Sequence, residues 1–220
     1  MANIIVRCGI KMKIVDICPI SVFQFNAPDE LIDTLLFKVE TSEFVKNERN
    51  AGSKFMFYEK DMVNWLDECI LKVGQNKYPD IEKFVITGCW VNKTTKFQSH
   101  HYHTHPNSLF SGILYLTTHE TGYTNFYSKD AWYNYDENLL WFAGKQLTQT
   151  NIISSIKPEK GKLIIFPSHL AHDTKQLIQN ETRYSISFNV FVSGHINKDQ
   201  VHSKLILNTR DYREDVIQSA

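Results

Sequence analysis

Apolar side chains recur at helical spacing twice in the first third of the chain. Leu31, Leu35 and Val39, flanked by Ile32 and Leu36, form one stripe, and it follows Asn26, Ala27, Pro28, Asp29 and Glu30. Proline and carboxylates suit a first helical turn: proline lacks the N–H that would go unbonded there, and acids meet the positive end of the aligned peptide dipoles. The second stripe is Met62, Leu66, Cys69, Ile70 and Val73, opened by Asp61, with Gly74 placed where a C-cap belongs. Helices over 28–39 and 61–73 are therefore predicted. Each stripe reads as a packing face rather than a cofactor or partner site.

From residue 84 onward the period changes from helical to extended. Phe84–Asn92, Gly112–Thr117, Tyr123–Tyr127, Ile152–Ile156, Lys162–Phe166 and Arg183–Val192 are short, rich in β-branched and aromatic residues, and mostly bounded by turn residues. Helices first and strands afterwards argue for an α+β domain or a helix-buttressed β-barrel, not for alternating α/β units. The stretch 128–150 is long for a connection and holds Trp132, Tyr133, Tyr135, Trp141 and Phe142. It reads either as a functional loop or as an extra strand pair or small helix covering the barrel.

Composition narrows the class without choosing a function. A chain of 220 residues with 42% hydrophobic and 22% charged residues is expected to form one globular domain. The formal net charge is zero, so no overall field draws the protein onto nucleic acid or an anionic membrane. Cys8, Cys18, Cys69 and Cys89 lack the paired spacing of a zinc ribbon and read as small structural residues in a reducing compartment. No apolar run approaches the roughly 18 residues of a membrane span, and Arg7, Lys11 and Lys13 interrupt what would be a signal peptide's apolar region. A cytoplasmic protein is expected, with translation starting at Met1 or at Met12.

The histidines bring in chemistry. His100, His101, His103 and His105 fall within six residues, and neutral imidazole is the commonest protein ligand for iron, zinc and copper. Side chains two apart on a strand share a face, so His103 and His105 can address one ion; His101 and His103 satisfy the same rule, and a polar His-rich loop is the bland alternative. Downstream, Gly161 opens a buried strand whose following turn ends at His172. Eleven residues further on, Arg183, Ser185, Ser187 and Asn189 occupy one face of a strictly alternating strand, and Tyr184, Ile186, Phe188 and Val190 the other. An arginine heading a polar face on a core-like strand is costly unless that face lines a site or pairs with a buried acid. Its planar fork suits a bidentate grip on a carboxylate.

As an ordered set, these motifs resemble the prolyl-hydroxylase-like iron(II)/2-oxoglutarate dioxygenases, most closely the oxygenase family common in phage and bacterial genomes. That superfamily's His pair, distant His and following Arg occur in order between Trp90 and Val192. The resemblance rests on His103, His105, Pro106 and Ser108, then Ser111, Gly112, Tyr115 and Leu116. It continues through Gly122, Thr124 and Phe126 to Phe166–His172 and Arg183–Ser185, and the opening of the family is similar to Pro19–Leu36. It implies a mainly β (α+β) fold, a double-stranded β-helix of jelly-roll or cupin type. About eight antiparallel strands would run over 84–192, with supporting helices within 20–80 and a C-terminal tail at 193–220, all in a single domain over 1–220.

The resemblance further implies iron(II) held by His103, His105 and His172, with His105 standing where most members carry a carboxylate. It places the far carboxylate of 2-oxoglutarate on Arg183, with Ser185 and Tyr115 as hydrogen-bond donors. O₂ is the second co-substrate, succinate and CO₂ are products, and a substrate C–H is hydroxylated. Glu120, Asp130 and Asp173 lack the spacing to supply the missing carboxylate. The prime substrate is left open among a protein side chain, a small molecule and a nucleobase, as is oligomeric state; the cytoplasm would be a host's if the chain is phage-encoded. Two other readings stand beside this one: a catalytically silent metal-binding barrel used as a binding or structural module, and a three-histidine cupin dioxygenase that does not use 2-oxoglutarate. Neither needs a carboxylate clamp beside the metal.

Overall fold

The structure is a computed structural model that describes residues 4–7, 10–13, 20–46, 51–53, 56–127, 152–199 and 202–214. A hairpin of β1 (Ile4–Arg7) and β2 (Ile10–Lys13) comes first. There follow β3 (Phe23–Asn26), α1 (Asp29–Glu40), β4 (Phe44–Lys46), β5 (Ala51–Ser53) and α2 (Lys60–Lys77). Eight described strands lie in the region where about eight were expected. They are β6 (Lys83–Thr94), β7 (His100–His103), β8 (Phe110–Tyr115), β9 (Thr124–Tyr127), β10 (Ile152–Ile156), β11 (Lys162–Pro167), β12 (Ala171–Thr174) and β13 (Arg183–Ile196). A last strand, β14 (Leu205–Leu207), pairs back onto the end of β13.

Two antiparallel sheets build a double-stranded β-helix. The larger runs β3-β11-β8-β13-β6-β5-β4, the smaller β10-β9-β12-β7. The helices cover one face of the larger sheet, where Ile32, Leu35, Met62 and Leu66 join Ile86, Leu114, Ile186 and Phe188 in one buried cluster. A second cluster draws Tyr115, Ile164 and Phe166 from the larger sheet and Phe126 and Ile156 from the smaller. It therefore fills the space between them. β11 is buried on both faces: Leu163 and Ile165 belong to the first cluster, Ile164 and Phe166 to the second. That is why its sequence reads as a continuous apolar run instead of an alternation.

The helices form where the stripes place them, with one correction. Pro28 occupies the N-cap position of α1 without a side-chain bond, and the Glu59 carboxylate caps α2 by accepting from the Met62 amide at 2.7 Å. Gly74, however, lies inside α2, which runs on to Lys77. The reason for glycine there is close approach: a Cβ on Gly74 would lie 2.2 Å from the Phe84 ring. Gly74→Ala should therefore lower stability by about 1 kcal/mol, although alanine in a helix is ordinarily worth about that much in the opposite direction. Urea unfolding of the two proteins checks the sign.

The tail is also more structured than the sequence suggests. β13 extends to Ile196, and Tyr212 is buried against the core. Cys69 and Cys89 are buried free thiols, and burial pushes them up to about 11 and about 12, so both stay protonated and inert. Among the described residues no helix is long and apolar enough to cross a membrane.

Candidate metal centre and co-substrate cleft

His103 and His172 are cross-strand partners on β7 and β12, with ring centroids 4.2 Å apart. The sequence places His172 at the end of a turn; the structure puts it inside β12, held between β7 and β9. His105 lies beyond the end of β7, so the shared-face argument from strand alternation does not apply to it. Its ring arrives by another route: the His105 amide donates to the Ser168 carbonyl at 3.0 Å, tying the turn after β7 to the loop before β12. The ligand-capable nitrogens of His103, His105 and His172 all lie within 4.8 Å of one another.

Hydrogen bonds decide which nitrogens are available. The Nδ1 atoms of His103 and His172 lie 2.7 Å and 3.0 Å from the His101 and Leu170 carbonyls. A carbonyl only accepts, so each Nδ1 carries the proton and each Nε2 presents a lone pair. His105 Nε2 lies 3.3 Å from His172 Nε2. For an ion bound at about 2.1 Å this spacing corresponds to an angle of roughly 100° between two ligands. Burial, with help from the neighbouring imidazoles, pushes His105 down to about 4 and His172 to about 3, and burial lowers His103 as well. All three are neutral donors, and the set fits a divalent transition ion.

No carboxylate joins this set among the described residues. Glu120 pairs with Lys157 at 2.6 Å. Asp173 accepts from Tyr127 Oη at 2.6 Å and Asn125 Nδ2 at 3.0 Å. Asp130 lies outside the described residues, as does the aromatic segment from Trp132 to Phe142.

Arg183 is 3% exposed. Its Nη1 donates to the Gly122 carbonyl at 2.7 Å and its Nη2 to Thr94 Oγ1 at 3.1 Å, while Nε has no partner. Thr94 reaches it because Arg183 and Thr94 are register partners on β13 and β6. Gly122 sits at φ +73°, and a Cβ there would lie 3.1 Å from Nη1, so only glycine brings its carbonyl this close. No acid pairs with Arg183 among the described residues, which removes the buried-ion-pair alternative there. Among the described residues the guanidinium is a buried cation without a counter-charge, and burial lowers its pKa.

Tyr115 and Ser185 are register partners on β8 and β13 and line the same cleft as Arg183 and the three imidazoles. Tyr115 Oη shares a 2.7 Å hydrogen bond with Thr124 Oγ1, and burial pushes its phenol up to about 12. The cleft is open to solvent. All six residues singled out from the sequence thus meet in one place.

Sequence reasoning missed Thr94, Trp90 and above all His100, which also line this cleft or its arginine. Strict alternation puts His100 on the face opposite His103. Between the paired positions His172–His103 and Thr174–His100, however, β12 advances two residues while β7 advances three. The extra residue is a β-bulge, which turns side chains off their expected face. It brings the His100 ring to 4.5 Å from that of His103.

A family model described as "Putative 2OG-Fe(II) oxygenase" matches residues 88–189. Residues 88–189 belong to the 2OG-Fe(II) oxygenase family. The protein is accordingly an enzyme of the oxygenase class, whose cofactor and co-substrate are iron(II) and 2-oxoglutarate. Solved structures share the fold at low identity. A Pseudomonas putida prolyl-4-hydroxylase is 15% identical, with a TM-score of 0.56, over 80% of this chain and 94% of that one. HygX from Streptomyces hygroscopicus, solved with nickel and 2-oxoglutarate, is 9% identical, with a TM-score of 0.57, over 89% and 94%. The viral collagen prolyl hydroxylase of Paramecium Bursaria Chlorella virus-1, solved with 2-oxoglutarate, is 15% identical, with a TM-score of 0.52, over 77% and 94%. A comparison with curated protein sequences finds no match.

Proposed function

We propose that this oxygenase is a single-domain, 2-oxoglutarate-dependent hydroxylase in which His103, His105 and His172 hold iron(II) and Arg183, Ser185 and Tyr115 hold the co-substrate. The observation that carries the reading is the pairing, in one cleft, of three neutral convergent imidazoles with a buried guanidinium that has no counter-charge among the described residues. When bound, iron(II) supplies the oxidative decarboxylation of 2-oxoglutarate and the transfer of oxygen to a C–H bond. The chain's own part is positional. Arg183 meets the far carboxylate, Ser185 adds a hydroxyl, and Tyr115 remains protonated at neutral pH and so able to donate. Gly122 and Thr94 hold the guanidinium in place before any ligand arrives. A protein side chain is the favoured substrate class, ahead of small molecules and nucleobases, and the cytoplasm the favoured location. The deciding experiment is release of succinate and CO₂ from 2-oxoglutarate with added iron(II) and ascorbate and no prime substrate. Release above the level of an Arg183→Ala control is expected; equal rates overturn the reading.

The all-imidazole face carries its own expectation. His105→Asp should retain iron(II) binding, since it recreates two imidazoles and a carboxylate. His105→Ala should weaken iron(II) binding in the presence of 2-oxoglutarate by roughly tenfold or more. Iron titration followed through the charge-transfer band of the 2-oxoglutarate complex measures both. Unchanged affinity in both variants would make His105 a loop residue.

A further inference from the structure

The same β7 bulge that turns His100 toward the cleft does something the family's iron site does not require. It gathers His100, His101 and His103 into a second convergent set, with ligand-capable nitrogens also within 4.8 Å of one another. The rings of His100 and His101 lie 4.8 Å apart and nearly parallel, those of His101 and His103 5.1 Å apart, and those of His100 and His103 4.5 Å apart. Neighbouring residues on a regular strand point to opposite faces, so stacking of His100 on His101 is possible only because the strand is irregular here.

We infer that β7 carries a second position for an imidazole-preferring divalent ion of the zinc type, formed by His100, His101 and His103. It sits at the mouth of the cleft, with His101 exposed and the other two half-buried. Three imidazoles with no carboxylate, and no clamp beside them to add the oxygen donors of 2-oxoglutarate as at the first position, favour zinc or copper over iron(II), following the general order of stability for such ions. Partial exposure leaves further coordination positions to water. The two positions share His103. Its Nδ1 is engaged by the His101 carbonyl, which leaves one lone pair, so one ion at a time can use it. Zinc in the second position therefore withdraws a ligand from the first, and β7 acts as a competitive metal switch. The inference shares His103 with the proposed iron face but needs neither 2-oxoglutarate nor turnover.

The test uses the unmutated protein and Zn²⁺ alone, with the imidazole nitrogens followed by NMR. His100 and His101 belong only to the second set, so their signals report on it directly, while His105 and His172 report on the first. Zinc-dependent shifts of His100 and His101 together with His103 are expected. In His105→Ala, where competition for His103 is relieved, zinc should bind with one equivalent, and the further change His101→Ala should weaken it at least tenfold. The inference is overturned if saturating zinc shifts only His103, His105 and His172. It is equally overturned if His105→Ala binds no zinc, or if His101→Ala leaves its zinc affinity unchanged. Absence of succinate formation, by contrast, would count against the proposed function and leave these signals as they are.

Discussion

Arg183→Ala is expected to weaken 2-oxoglutarate binding by at least about thirtyfold while ion binding by the imidazoles changes by less than about twofold. Truncating one partner of a buried, hydrogen-bonded charge pair costs roughly 2–5 kcal/mol, and each 1.4 kcal/mol is a factor of ten. The guanidinium is buried, held by Gly122 and Thr94, and faces no acid among the described residues. Arg183→Lys should fall between, since a lysine keeps the charge and loses the planar fork. Calorimetric titration of 2-oxoglutarate with Mn²⁺ as the ion, alongside titration of the ion itself, separates the two effects. Equal loss of both ligands would make Arg183 a structural residue.

His172→Ala should have the other large effect. Losing a direct ligand should cost more than the 10–100-fold that follows loss of a group merely supporting one. Succinate formation should then fall to background. His172 is 3% exposed, stacks against His105 and meets the Phe166 ring edge-on at 4.8 Å, so packing fixes its imidazole beside the other two. His169, three residues earlier and exposed, provides the control. His169→Ala should leave iron(II) binding, read by the charge-transfer band, at the wild-type value. Similar losses in both variants would mean that the loop, not the ligand, matters.

How much of this was legible in the sequence depended on whether a feature was periodic. β13 was read from Arg183 to Val192, short of its end at Ile196, because its faces differ in chemistry: Arg183, Ser185 and Ser187 meet the cleft while Tyr184, Ile186 and Phe188 meet the helices. β4, β5 and β14 are three residues each, too short to show a period, and exist because a neighbouring strand offers them unpaired backbone. β12 is four residues of mixed character made extended by pairing on both sides. Thr94 could not be assigned to Arg183 without the β6–β13 register, which one sequence does not reveal. His100 was lost to the bulge, and Gly74 was misassigned because a glycine that accommodates a neighbouring ring looks the same in sequence as one that ends a helix.

The crowding of four histidines between residues 100 and 105 also bears on how strongly an ion can favour the folded state. Ligand linkage stabilises a protein only to the extent that the ligand prefers the native over the unfolded chain. A site assembled wholly from distant segments has no counterpart in the unfolded ensemble. Here His100, His101, His103 and His105 are already neighbours along the backbone, and the unfolded chain, where burial no longer matters, keeps a local chelate of its own. The increment in folding free energy from the metal is therefore the difference between two binding reactions, and His172 and the fixed geometry supply most of it. 2-Oxoglutarate has no such counterpart, because Tyr115 reaches Arg183 and Ser185 only through the pairing of β8 with β13, and the guanidinium is held by the distant Gly122 and Thr94. Of the two ligands, the organic acid is the one whose binding free energy passes almost undiminished into native-state stability.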